Sequence, residues 1–237
     1  MNLLHYGLQR SGTNFLETIL KRNFKVRFLN SNRDRSSPVQ KHCRLYDEKD
    51  VVPHPQYRNN IIVRSFEQFE DLFRIRPQFY LVISKDPYSW FLSYSNWARK
   101  CNWPPVDHHY IEEYNLYYGK LLDLSSQTDK FIFVRYVDMI SDTKAILKHL
   151  QEKMALQKSL MAAFASIRPV KVRLSSKFTE ERRAYYSEQR YLKDYDSEAL
   201  QQLNRLLNPR VVSLLGYERR EGIPESRQML SESCYAI

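Results

Sequence analysis

The chain has 237 residues, 43% of them hydrophobic, with only five glycines and ten prolines. That is enough apolar side chain for one sizeable α/β core, and the composition is not that of a linker-rich or disordered protein. Its 37 basic and 27 acidic residues leave a formal net charge of +10, which suits an anionic ligand without naming it.

The first motif begins almost at the N-terminus. Leu3, Leu4 and Tyr6 read as a buried strand, and Phe15, Leu16, Ile19 and Leu20 recur at helical spacing. Between them lies a turn bounded by Gly7 and Gly12, with Arg10 and Ser11 inside. Strand, glycine-bounded turn and helix N-terminus form a phosphate cradle, where backbone N–H groups converge and the positive end of the helix dipole faces the ligand. Arg10 adds a charged fork, and the Ser11 and Thr13 hydroxyls add donors. A nucleoside-triphosphate loop reads G-x-x-x-x-G-K-[ST]; here Thr13-Asn14 follows Gly12, so the magnesium-binding part of that motif is incomplete. The spacing also fails the dinucleotide fingerprint G-x-G-x-x-G.

A second strand is predicted over Lys25–Leu29, then a polar stretch, Asn30–Pro38, and another short strand over Val39–Cys43. A polar loop through Asp47–Asn60 precedes Ile61–Val63, and Ser65 with Gln68 reads as a capping box for a helix bearing Phe66, Phe69, Leu72 and Phe73. Phe79–Ile83 is the clearest strand, continuously apolar as in a parallel sheet covered on both faces. Asp86 and Pro87 suit the cap and first position of the next helix, with Lys85 just before it and Ser93 two turns in, so both can face one phosphate. Trp90, Tyr94 and Trp97 share a helical face and read as core. Trp103-Pro104-Pro105 breaks that helix; Tyr110–Leu124 is the next, then a strand over Phe131–Val134 and a helix from Ser141 to Leu150. The last third is helical and basic, with helices predicted over Ser159–Ile167, Thr179–Tyr195, Ser197–Leu207 and Pro209–Leu215, a stop at Gly216 and a tail after Glu221. The whole reads as a single domain: residues 1–150 a nucleotide-binding α/β core, 151–220 its helical C-terminal part, 221–237 the tail.

The longest apolar runs are far too short to span a bilayer, and no charged-then-apolar leader precedes the first strand. Cys43, Cys101 and Cys234 are scattered, with no C-x-x-C, which suggests neither a disulfide scaffold nor a zinc site. The expectation is a cytoplasmic protein. No zinc-finger, basic-zipper or RRM signature accompanies the charge, so nucleic acid is not the expected partner.

Arg10-Ser11-Gly12-Thr13 after a first strand resembles the 5′-phosphosulfate loop of sulfotransferases that use 3′-phosphoadenosine 5′-phosphosulfate (PAPS). Arg in place of Lys at position 10 is similar to the carbohydrate and bacterial branches. Lys85-Asp86-Pro87 with Ser93 resembles the family's 3′-phosphate motif, with Lys85 where most members have Arg. Lys keeps the charge and loses the bidentate geometry. Arg135-Tyr136-Val137-Asp138-Met139 resembles the mainly architectural Arg-Tyr-Glu-Asp-Leu segment. Together these stretches span residues 3 to about 150.

The resemblance implies a P-loop-like central parallel sheet flanked by helices, PAPS as donor and no metal. It implies contacts to PAPS from Gln9, Arg10, Ser11, Gly12, Thr13 and Asn14 around the 5′-phosphosulfate, with Arg10 stabilising the leaving phosphate. Lys85 and Ser93 would hold the 3′-phosphate, and Lys171 and Arg173, or Arg183 and Arg190, are candidates to close the site. The general base would be His42, whose type titrates near neutral pH, or else Asp34. The acceptor would be a hydroxyl or amine of a glycan, lipid-linked sugar or small metabolite, with peripheral membrane contact allowed. Two other readings stand beside it: a magnesium-dependent nucleoside or small-molecule kinase, and a non-catalytic basic module for nucleic acid or an acidic membrane surface.

Overall fold

The structure is a computed structural model and describes residues 1–30, 37–50, 61–159 and 180–220. Strand β1 (Asn2–Tyr6) leads through the glycine turn into helix α1 (Thr13–Asn23), and β2 (Arg27–Phe28) follows. Two short strands, β3 (Leu45–Tyr46) and β4 (Ile61–Ile62), precede α2 (Phe66–Asp71), β5 (Phe79–Ser84), α3 (Pro87–Lys100) and α4 (Tyr110–Ser125). Then come β6 (Phe131–Arg135), α5 (Tyr136–Ser141), α6 (Thr143–Met154), α7 (Glu180–Ser187), a 3₁₀ turn (Arg190–Asp194), α8 (Ser197–Leu206) and α9 (Pro209–Leu214).

The main sheet is parallel, in the order β2-β1-β5-β6, with Leu4 opposite Tyr80 and Val82 opposite Phe133. β3 and β4 form a separate parallel pair. The period-2 rule explains why the strands read as unbroken apolar runs. Leu4, Tyr6, Tyr80, Val82 and Phe131 face a core shared with α2, α3, α4, α8 and α9, while Leu3, Leu81, Ile83, Ile132 and Val134 face α1, α5 and α6. Helices therefore cover both faces, as the α/β reading expects, and the described C-terminal part is helical.

Some local expectations are corrected. The strand expected over Lys25–Leu29 is reduced to Arg27–Phe28. Val39–Cys43 is not a strand: Gln40 N–H bonds Ser37 O and Cys43 N–H bonds Gln40 O, two successive tight turns, and the strand lies at Leu45–Tyr46. Ser65 caps α2 as expected, but the Gln68 amide accepts from Arg64 N–H in place of Ser65 N–H, so the reciprocal half of the capping box is shifted by one residue. The helix expected over Thr179–Tyr195 stops at Ser187, because Gln189 takes a left-handed conformation (φ 54°) and restarts the chain as a 3₁₀ turn. Tyr136–Ser141 adds a helix not foreseen, and the expected helix beyond Ser159 and the tail lie outside the described residues.

Gly7 sets the approach of loop to sheet. A Cβ there would sit 2.7 Å from Ile83 O and 2.8 Å from Ile83 Cγ2. Gly7→Ala should thus cost ~1–3 kcal/mol, as overpacking does. Urea denaturation should show a lower midpoint at unchanged slope; an unchanged midpoint would contradict the close approach.

Candidate functional site

The loop between β1 and α1 places its groups by backbone conformation. Gly12 is the N-cap of α1 at φ 96°, with no side-chain cap, and a Cβ on it would meet the Tyr136 ring at 2.5 Å. The opening N–H groups of α1 are thus left for an external acceptor, at the positive end of an 11-residue helix. Arg10 takes φ 72°, a left-handed conformation that costs a non-glycine residue ~1–3 kcal/mol and is typical of functional loops. Its guanidinium is exposed, lies over the Trp97 ring 5.0 Å from the centroid, and has no hydrogen-bond or ion-pair partner among the described residues.

Other loop residues are turned inward. Ser11 is fully buried, with Oγ 2.9 Å from Tyr118 OH. Tyr118 gives its single proton to Ile83 O at 3.0 Å, so Ser11 donates to Tyr118 and its hydroxyl points away from the cradle. Gln9 is also buried: its Oε1 accepts from Arg44 at 3.0 Å and its carbonyl from Trp90 Nε1 at 2.9 Å. Thr13 is buried with its methyl near Gly7, and exposed Asn14 accepts from Lys41 Nζ at 2.5 Å. Lys41 was not anticipated; burial lowers its pKa, with nearby Glu17 opposing that shift.

A second basic site lies at the carboxyl end of β5. Lys85 is only 3% exposed, with Nζ 2.6 Å from Ser93 Oγ and 3.3 Å from Tyr186 OH. The geometry follows from the sequence: Asp86 accepts from Tyr88 and Ser89 N–H, Pro87 takes the first helical position, and Ser93 comes round to the strand end. Burial lowers the Lys85 pKa, Tyr186 opposes this, and the Arg10 and Arg182 charges add to it. Burial alone would raise the Tyr186 phenol, but Lys85 and Arg182 outweigh it and hold it below its ordinary value.

Arg182 is the late basic residue that the sequence did not single out. It hydrogen-bonds Tyr136 and Tyr186, four residues on along α7. The residues that were singled out are elsewhere: Arg183 pairs with Glu180 at 3.4 Å, Arg190 with Glu188 at 2.8 Å. Lys171 and Arg173 lie outside the described residues. Behind Lys85 opens a cavity of about 240 Å³ lined by Tyr136, Tyr186, Gln189, Tyr191 and Arg220 among others.

His42 sits in the turn beside the loop. Its Nδ1 lies 2.6 Å from Gly7 O, which makes Nδ1 the donor and leaves the lone pair on Nε2. Burial pushes its pKa down to about 3, only partly opposed by the Gly7 hydrogen bond, so the ring is neutral at physiological pH. The expected near-neutral titration is corrected accordingly. Asp34 lies outside the described residues. Beneath both segments, the buried Arg44 pairs with Glu113 at 2.8 Å and donates to His42 O at 3.0 Å. Tyr94 OH donates to the same Glu113 oxygen at 2.9 Å. Among the described residues no group of three or more His, Cys, Asp or Glu could hold a metal ion, and no helix is long and apolar enough to cross a membrane.

These features define an α/β protein with a glycine-bounded turn and an uncapped helix N-terminus at the carboxyl edge of a parallel sheet. No family model matches the chain, and no curated protein matches it. Among solved structures it is similar to the mouse sulfotransferase SULT7A1 complexed with PAP, at 12% identity and a TM-score of 0.48, over 86% of this chain and 82% of that one. It is also similar to the sulfotransferase domain from the curacin biosynthetic pathway, at 15% identity and a TM-score of 0.40, over 68% of this chain and 64% of that one.

The imidazoles of His5, buried, and His42, half-buried, give the fold a pH dependence of fixed sign. His5, fully buried on β1, is held down at about 4 by burial, with Glu17 opposing, and His42 at about 3. Both bind protons more weakly folded than unfolded, so stability is complete above about pH 6.5 and falls as pH drops towards 4. His5 alone contributes roughly 3 kcal/mol over that window. Urea melts at pH 7, 6, 5 and 4 should show this decline, weaker in His5→Asn; a flat profile would contradict it.

Proposed function

We propose that this chain is a PAPS-dependent sulfotransferase, moving a sulfuryl group to a hydroxyl or amine of a glycan, lipid-linked sugar or small metabolite. One observation carries the reading: two separate basic positions border the carboxyl edge of the sheet, one at the uncapped N-terminus of α1 with Arg10, the other at Lys85–Ser93. A donor with phosphate groups on both the 3′ and the 5′ oxygens of its ribose calls for that pair of positions. The sequence supports the same reading, since Thr13-Asn14 stands where a nucleotide kinase carries Lys-Ser/Thr for phosphate and magnesium.

PAPS, when bound, supplies a sulfuryl group whose S–O bond to the 5′-phosphate breaks as an acceptor oxygen or nitrogen bonds to sulfur, the phosphate keeping the electron pair. The residues then have these roles. The N–H groups of Gly12, Thr13 and Asn14 and the Arg10 guanidinium stabilise charge growing on the leaving phosphate. Lys85, Ser93 and Arg182 take the 3′-phosphate, which displaces Tyr186 OH from the ammonium. Ser11 and Gln9 act from below, shaping the loop through Tyr118 and Arg44. His42 Nε2 receives the acceptor proton. An anion seated in the loop raises the basicity of that ring from its low resting value, so the base is strongest when donor is bound.

Two measurements test these roles. Arg10→Ala should lower turnover of PAPS roughly 10²-fold, as loss of an oxyanion donor does, with the protein still folded. Near-wild-type turnover would remove Arg10 from the reaction. Lys85→Ala should cut the preference for 3′-phosphoadenosine 5′-phosphate (PAP) over adenosine 5′-phosphate about 10–100-fold, the worth of a charge-assisted hydrogen bond. If both nucleotides weaken equally, Lys85 is not the 3′-phosphate residue.

A further inference from the structure

We infer that Trp97 is a positioning residue for Arg10, a role that rests on the proposed place of Arg10 at the leaving phosphate. By its helical spacing Trp97 reads as core with Trp90 and Tyr94; the structure separates it from them. Trp90 and Tyr94 are fully buried and stacked on each other, 4.6 Å between centroids at 28°. Trp97 is half-buried, and the Arg10 guanidinium carbon lies over its ring, 5.0 Å from the centroid.

The arrangement has a clear physical logic. Arg10 projects from a left-handed position in an exposed loop, and no described residue gives it a carboxylate or a hydrogen bond. A long side chain in that setting samples many rotamers and loses that freedom when it meets a ligand. An indole under the guanidinium holds it by cation–π attraction, for which Trp is the best ring. Contact through the face leaves the N–H donors at the edge of the guanidinium plane open to a phosphate oxygen, which an ion pair would occupy.

Helix α3 supplies this contact as part of a series. Trp90 holds the loop through Gln9 O, Ser93 holds Lys85, and Trp97 holds Arg10. Positions 90, 93 and 97 are spaced i, i+3 and i+7 and so lie along one face. One rigid helix therefore fixes the spacing between the two basic residues that meet the donor. Trp97 does not touch the reacting atoms; it acts through Arg10.

Calorimetric titrations with PAP and with inorganic pyrophosphate would test this in wild type, Arg10→Ala, Trp97→Ala, Trp97→Phe and the Arg10→Ala/Trp97→Ala double variant. Trp97→Ala should weaken both anions roughly 5–30-fold, the range of a cation–π contact, with Trp97→Phe intermediate. The double variant should bind no more weakly than Arg10→Ala, because the ring works only through the guanidinium. Full affinity in Trp97→Ala, or losses that add in the double variant, would overturn the inference. Should Trp97→Ala fail to fold, Trp97→Phe decides: affinity equal to wild type with PAP and pyrophosphate would overturn it. Coupled losses with pyrophosphate but no tighter binding of PAP would keep the Trp97 role and reject the PAPS reading; no binding of either anion to wild type would reject both.

Discussion

An arginine enclosed in the core is the constraint on which the site depends. Arg44 is 2% exposed, and its guanidinium is shared among Glu113, Gln9, Tyr94 and the His42 carbonyl. Those partners belong to α4, the β1–α1 loop, α3 and the turn that carries His42, so a single cation ties four segments that are distant in sequence. Burying a charge is unfavourable unless it is paired and hydrogen-bonded, and removing one partner of such a pair typically costs ~3–5 kcal/mol. The geometry is therefore demanding: the loop cannot move away from α3 without breaking the Trp90–Gln9 hydrogen bond and taking Gln9 Oε1 from the buried Arg44.

On that base, the apolar sheet and α3 divide the remaining work. Continuous burial on both faces of β1 and β5 brings Gly7 against Ile83 and sets the height of the loop. The tight N-terminus of α3, capped by Asp86 and started by Pro87, then fixes where Trp90, Ser93 and Trp97 emerge. The proposed sulfuryl transfer would suit such a scaffold: the migrating group carries less charge than a phosphoryl group, so positioned N–H donors and fixed cations aimed at the leaving oxygen would supply the main stabilisation.

What was legible in the sequence was local. Gly7 and Gly12 bracket a loop whose close contacts and positive φ admit nothing larger, and Asp86-Pro87 announces a helix start through hydrogen bonding and a fixed dihedral. Val39–Cys43 misled because it holds no glycine or proline to mark a turn, while the backbone is spent on consecutive turns. The break at Gln189 had no glycine or proline to mark it. Arg182, Trp97 and the Arg44–Glu113 pair were invisible for a common reason. Each matters through a partner far along the chain, and only the fold brings 44 to 113, 97 to 10, or 182 to 136. His42 was legible as a residue but not in its chemistry, because burial, which sets its pKa, is a property of the folded chain.

The most direct test of the account is a calorimetric titration of the intact protein with PAP in EDTA, run beside ATP with magnesium. A PAPS-dependent sulfotransferase should bind PAP in the micromolar range without metal, with one site per chain, and ATP more weakly with no improvement by magnesium. No heat with PAP, or ATP binding that requires magnesium, would contradict it and point to a nucleotide kinase in its place.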